Sequence, residues 1–181
     1  MTWYRLAADQ GDADAQYNVG WQYSNGAGVT QDYKEAMTWY RLAADQGQAS
    51  AQHNVGWQYS NGAGVNQDYK KAMTWYRLAA GQGHAMAQYN IGVFYDNGTG
   101  VTQDHKKAMT WYRLAADQGD AKAQYNIGWQ YSNGAGVTQD HKKAMTWYRL
   151  AADQGNANAQ YSIGWQYSNG AGVTQDYKEA M

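Results

Sequence analysis

WYRLAADQG at residues 3–11 returns at 39–47, 111–119 and 147–155, and the remaining copy at 75–83 differs only at Gly81. A second phrase, GWQYSNGAGV, stands at 20–29, 56–65, 128–137 and 164–173, and its third copy, at 92–101, reads GVFYDNGTGV. Both recur every 36 residues, so the 181-residue chain is five periods of one unit. The fold then follows from what one unit buries by itself and what it leaves for its neighbours. Tryptophan marks the register, recurring every 18 residues from Trp3 to Trp165 and failing only at Val93.

Each period holds two segments with helical spacing. In the second, helix B, residues placed 100° apart put Ala36, Met37, Trp39, Tyr40, Leu42, Ala43 and Ala44 on an apolar arc wider than half the circumference, with Lys34, Thr38, Arg41 and Asp45 outside it. Such a helix must be covered on two sides. Asp32 is placed to cap its N-terminus, Glu35 to complete a capping box, as Glu179 does after Asp176, and Gly47 to end it. The first segment, helix A, over about 13–25, has a narrower arc of Ala15, Val19 and Tyr23 that would face helix B. Glycine inside a helix costs ~1 kcal/mol relative to alanine, so Gly20, Gly56, Gly92, Gly128 and Gly164 predict a close approach to a neighbouring helix. Asn25-Gly26 is a stop signal, with Val29 returning to close the turn. One unit alone cannot bury both faces of helix B, which predicts an all-α solenoid of stacked helix-turn-helix units. The expected organisation is a single domain: partial helix B at 1–11, full repeats at 12–47, 48–83, 84–119 and 120–155, and helix A with the opening of a further helix B over 156–181.

The pattern carried by Val19, Gly20, Tyr23, Gly26, Gly28, Val29, Asp32, Ala36, Trp39, Tyr40, Ala43, Ala44 and Gly47 resembles the Sel1-like repeat, a relative of the tetratricopeptide repeat, over essentially the whole chain. The resemblance implies a right-handed α–α superhelix with helix A on the inner surface, and a non-enzymatic adaptor role. Gln22, Gln58, Gln130 and Gln166 depart from it, occupying a place that is usually apolar in the family and that only Phe94 fills conventionally. The phrasing of WYRLAADQG looks bacterial, and related bacterial proteins are often exported, which makes an exported or periplasmic parent protein the expectation while the compartment stays open.

Composition narrows the function classes. Lys plus Arg number 14 against 15 Asp plus Glu, so no global field draws the chain to nucleic acid. The absence of cysteine removes disulfides, thiolate zinc sites and cysteine nucleophiles. No apolar stretch approaches the roughly 18 residues of a membrane span, and the first ten residues lack a signal-peptide core. Lys70 and Lys71, Lys106 and Lys107, Lys142 and Lys143 lie beside Asp68, Asp104 and Asp140, a mixed and solvated edge where Lys71 and Trp75 are placed for an i,i+4 cation–π contact. His53, His84, His105 and His141 do not assemble a ligand set, so neither metal nor cofactor is expected. Ser24, Ser60, Ser132 and Ser168 have no base placed beside them by sequence, and Asp12 and Asp14 suit a helix start better than calcium.

The informative feature is a second stripe on helix A, formed by Asp14, Tyr17, Trp21 and Ser24. Stacking would turn it into a ladder with rungs Tyr17 and Trp21, His53 and Trp57, Tyr89 and Val93, Tyr125 and Trp129, then Tyr161 and Trp165. Exposed, it is a groove for a peptide or protein segment; buried, it is packing between helices. Glycan recognition is the alternative, with the aromatic faces stacking on sugar rings and Asp14, Asn18 and Gln22 supplying polar contacts. His84, Met86, Val93, Phe94 and Asp96 set the middle repeat apart. The termini are complementary halves of helix B, which fits either a piece of a longer array or weak head-to-tail self-association.

Overall fold

The computed structural model describes residues 2–181. Among these residues it shows ten helices: α1 (Thr2–Asp9), α2 (Ala13–Asn25), α3 (Tyr33–Asp45), α4 (Ala49–Asn61), α5 (Tyr69–Gly81), α6 (Ala85–Asn97), α7 (His105–Ala116), α8 (Ala121–Asn133), α9 (His141–Ala152) and α10 (Ala157–Asn169). Even-numbered helices are A helices and odd-numbered ones are B helices. Residues 177–180 form one turn where a further helix B was expected to open. The fold is therefore the all-helical repeat that the period implies, in two compact units, Met1–Ala87 and Gln88–Met181.

In the first unit the core is built from Val19, Val55, Tyr40 and Tyr76, all essentially inaccessible, with alanines of both helix types between them. In the second, Ile91, Ile127, Tyr112 and Tyr148 take the same places. Four of the five helix A glycines are explained by these tyrosines, while a Cβ on Gly164 would lie 3.1 Å from the Ala180 carbonyl oxygen. A Cβ on Gly20 would lie 2.7 Å from the ring of Tyr40, one on Gly56 2.7 Å from Tyr76, and one on Gly128 2.6 Å from Tyr148. What comes close at Gly20, Gly56, Gly92 and Gly128 is thus a phenol ring of helix B, the close approach to a neighbouring helix that was expected.

The caps differ in one respect from the sequence reading. Asp32 accepts hydrogen bonds from the backbone N–H groups of Lys34 and Glu35, as a helix cap should. Its own N–H donates to the carbonyl of Tyr23 at 2.9 Å, and that of Asp176 to Tyr167 at 3.0 Å. The donor that a capping-box glutamate would satisfy is already used, so no box forms at Glu35 or Glu179.

Helix B is also less buried than its arc suggests. Leu42, Leu78, Leu114 and Leu150 are each between 44% and 48% exposed, so the leucine edge of the arc faces outward. The tryptophan edge is covered in part by charge. Arg5 lies 4.5 Å over the ring of Trp39, and Arg41 4.9 Å over Trp75. Lys71, expected beside Trp75, instead lies over Tyr59 at 5.4 Å and pairs with Asp68 at 3.6 Å. Lys107 and Lys143 repeat the arrangement over Tyr95 and Tyr131 and pair with Asp104 and Asp140.

Two glutamine arrangements tie the repeats together. The side-chain amide of Gln16 donates to the carbonyl of Ala8, and its own oxygen accepts from Gln46 at 2.8 Å. Gln52 with Ala44 and Gln82, and Gln124 with Ala116 and Gln154, reproduce this chain. Gln58, Gln130 and Gln166, at the place the family usually keeps apolar, are wholly buried. Their amides donate to the Tyr33 carbonyl, the Asp96 carboxylate and the His141 carbonyl respectively, which repays part of the burial cost.

Candidate interaction surface

The helix A stripe stays accessible at its tryptophans. Trp21, Trp57, Trp129 and Trp165 are 38–46% exposed, whereas Trp39 on helix B is 7% exposed. The tyrosine or histidine four residues before each tryptophan, and before Val93 in the middle repeat, sits lower, against the helix B tyrosine of the same repeat. Ring centroids are 5.9 Å apart for Tyr17 and Tyr40, 5.6 Å for His53 and Tyr76, 5.9 Å for Tyr89 and Tyr112, and 5.8 Å for Tyr125 and Tyr148. Tyr161 is the exception, fully on the surface. The rungs are therefore uneven, with indoles proud and phenols recessed.

Between consecutive A helices the surface opens into hollows. One of about 440 Å³ in the first unit is lined by Trp21, Ser24, His53, Asn54 and Trp57 with Tyr40 at its base. In the second unit, one of about 310 Å³ brings together Tyr89, Val93, Asp96, Tyr112, Tyr125 and Trp129. A third of about 270 Å³ joins Ser132, Tyr148, Tyr161, Ser162 and Trp165. Of the ladder residues only Tyr17 lines none of these three. The floor was not foreseen: the helix B hydroxyl of Tyr40 lies beside Ser24 and Asn54, that of Tyr148 beside Ser132 and Ser162, and that of Tyr112 donates to Asp96 at 3.2 Å with Asn126 beside it. Burial pushes the Tyr40 phenol up to about 12 and raises Tyr112 and Tyr148, so these hydroxyls are neutral hydrogen-bonding groups. The spacing of Ser24 with Trp21 placed it on the stripe; Asn54, the counterpart of Asn18, was not placed there, and the tyrosine floor was hidden because it comes from the other helix.

The polar residues suggested for sugar contact are placed differently. Asn18 donates to the carbonyl of Asp14 in its own helix, and Gln22 is half-buried with its side-chain oxygen shielded. Ser24, Asn25 and Asn54 stand at the hollow in their stead.

Two histidines do meet, which the spacing did not foretell. His53 and His84 stack with centroids 4.8 Å apart and planes 19° from parallel. Burial, and then His84, lower the pKa of His53 to about 4, and burial lowers that of His84. His84 also accepts the Ala87 N–H at the start of α6, as a polar cap does. No group of three or more metal-ligating side chains is found among the described residues. Ser132 has His141 at 3.5 Å, a base that sequence did not place there, while Asp96 binds His105 at 2.7 Å one repeat earlier. Serine and carboxylate occupy the same position in different repeats, so these two pairs do not combine into a triad. No helix among the described residues is long and apolar enough to cross a membrane.

Comparison with known proteins gives the same repeat. The Sel1 repeat matches residues 1–12, 13–48, 49–84, 85–120, 121–156 and 157–181. The crystal structure of c5321, a protective antigen present in uropathogenic Escherichia coli strains, is similar at 42% identity and a TM-score of 0.95; the match covers 99% of this chain and 38% of that one. A Sel1 repeat protein from Oxalobacter formigenes is similar at 37% identity and a TM-score of 0.90, covering 94% of this chain and 68% of that one. Immunity protein Pa5087 from Pseudomonas aeruginosa, at 24% identity and a TM-score of 0.66 over 98% of this chain and 68% of that one, shares the fold. No curated protein matches the chain. With the repeat found along its length and its glycines, tyrosines and caps in register, the chain belongs to the Sel1 repeat family.

Proposed function

We propose that the chain is a non-enzymatic protein-interaction scaffold that takes a peptide or protein segment on its helix A faces. The observation that carries this reading is the exposure of Trp21, Trp57, Trp129 and Trp165 above hollows with neutral, hydrogen-bonding floors. Indoles held on a rigid helix offer large contact area at little entropic cost, which is why tryptophan is frequent among residues that dominate binding energy. Catalysis is disfavoured because the same groups recur from repeat to repeat and assemble no unique reacting centre.

Affinity capture from the native host, with the chain and with its Trp21→Ala, Trp57→Ala, Trp129→Ala, Trp165→Ala variant, tests the surface. Loss of a specific protein partner at unchanged helicity is expected. Equal capture by both forms would reject the helix A face. Glycan recognition remains the second reading, favoured by Ser24, Asn25, Gln31 and Asn54 beside two indoles. A glycan array separates the two: saturable binding of one sugar class, lost in the same variant, would replace the protein reading.

A further inference from the structure

The three hollows share a plan and differ in one charge. Ser24 and Ser132 line the first and third, while in the middle repeat the equivalent position is Asp96. Its side chain is only 16% exposed, yet it lines the hollow of Tyr89, Val93, Tyr112, Tyr125 and Trp129. Oδ1 accepts from His105 Nδ1 at 2.7 Å and from Gln130 Nε2 at 2.9 Å, and Oδ2 accepts from the Tyr112 hydroxyl at 3.2 Å. A carboxylate has about four acceptor sites, so Oδ2 keeps one for a ligand. None of the described lining residues is Lys or Arg. The Tyr89 phenol is raised by burial first, then by the charges of Asp120 and Asp96, which places two carboxylates within electrostatic reach of the hollow.

A partly buried carboxylate among aromatic faces favours a cation, by direct pairing and by the ring quadrupoles together. Resting on the scaffold reading above, we infer that the hollow between α6 and α8 receives a lysine or arginine side chain of the bound segment. Its apolar stem lies against Val93 and Trp129 and its charged head reaches Asp96. This makes the middle repeat the place where the surface selects its partner, and it assigns a role to one of the residues that set that repeat apart.

The test uses the full chain and blocked tripeptides, Ac-Gly-Lys-Gly-NH2 and Ac-Gly-Arg-Gly-NH2, with the norleucine peptide as neutral control and n-butylammonium as free amine. The readout is the NMR shift of the Trp129 indole N–H. Binding of either cationic peptide at least five-fold tighter than norleucine is expected. Asp96→Ser, which installs the residue found in the other hollows, should abolish the preference at unchanged helicity, and Asp96→Asn should do so while keeping the side-chain shape. Ser132→Asp, beside His141 and Tyr148, should give the Trp165 indole a new preference for the same peptides. Equal binding of lysine, arginine and norleucine peptides, or a preference that survives Asp96→Ser and Asp96→Asn, would overturn the inference. So would butylammonium binding as tightly as the peptides, which would show a site for free amines. Failure here with partner capture still lost in the tryptophan variant retires the cation pocket and leaves the scaffold reading standing.

Discussion

At the scale of single residues, two positions hold most of the physical argument. Gly56 lies where a Cβ would sit 2.7 Å from the buried ring of Tyr76 and 3.3 Å from the Ala72 carbonyl. Alanine would gain about 1 kcal/mol of helix propensity and lose about 1–3 kcal/mol to overpacking against a ring that has nowhere to move. Gly56→Ala should therefore lower stability by up to about 2 kcal/mol net in urea unfolding, and a stabilised variant would show that the ring is free to shift. His53 is the second. Its pKa falls to about 4 in the folded chain against about 6.5 when unfolded, so between those values the unfolded state binds more protons. Its contribution is intact above pH 6.5 and is lost as the pH falls towards 4, at up to about 1.4 kcal/mol per pH unit. His53→Tyr, which restores the residue found at 17, 89 and 125, should flatten this part of the profile of unfolding midpoint against pH. An unchanged slope would place the titration elsewhere.

At the scale of elements, the period gave both helices their boundaries, because caps and stop signals are local chemistry and each is repeated five times. Contacts between elements were less legible. Periodicity says which residues share a face but not how far a neighbour extends over it, so Leu42 was read as buried and stands exposed. Gly64 shows the same limit. Its φ of +72° suits a turn, but its further role is to let the turn touch the first residues of the preceding helix B, where a Cβ would lie 2.5 Å from the Tyr33 carbonyl carbon. Gln58 binds that same carbonyl at 2.8 Å, so one peptide group is clasped twice. Gly64→Ala should cost about 2–4 kcal/mol, from left-handed strain plus a backbone clash. Gly47→Ala, at φ +92° with nothing within 4 Å, should cost about 1–2 kcal/mol from strain alone. Equal losses in urea melts would remove the clasp from the account.

At the scale of the whole molecule, repeats of this kind draw stability from each pair and its neighbours, and on α2, α4, α8 and α10 an indole of helix A stays exposed. Sequence placed the aromatic stripe on helix A but left its exposure undetermined, since the same spacing serves a core or a surface. The structure raises the indoles and recesses the phenols, because the helix B tyrosines reach the tyrosine position and stop short of the tryptophan. The exposed leucines of the B helices, Leu42 and Leu78 in the first unit and Leu114 and Leu150 in the second, offer the competing faces. A photo-reactive benzophenone side chain placed in turn at Ser24, Ser132, Leu42 and Leu150, followed by irradiation in the native host, compares the two faces directly. The account predicts covalent adducts with one protein partner from Ser24 or Ser132 and none from Leu42 or Leu150. Adducts formed from the leucine positions alone would contradict it.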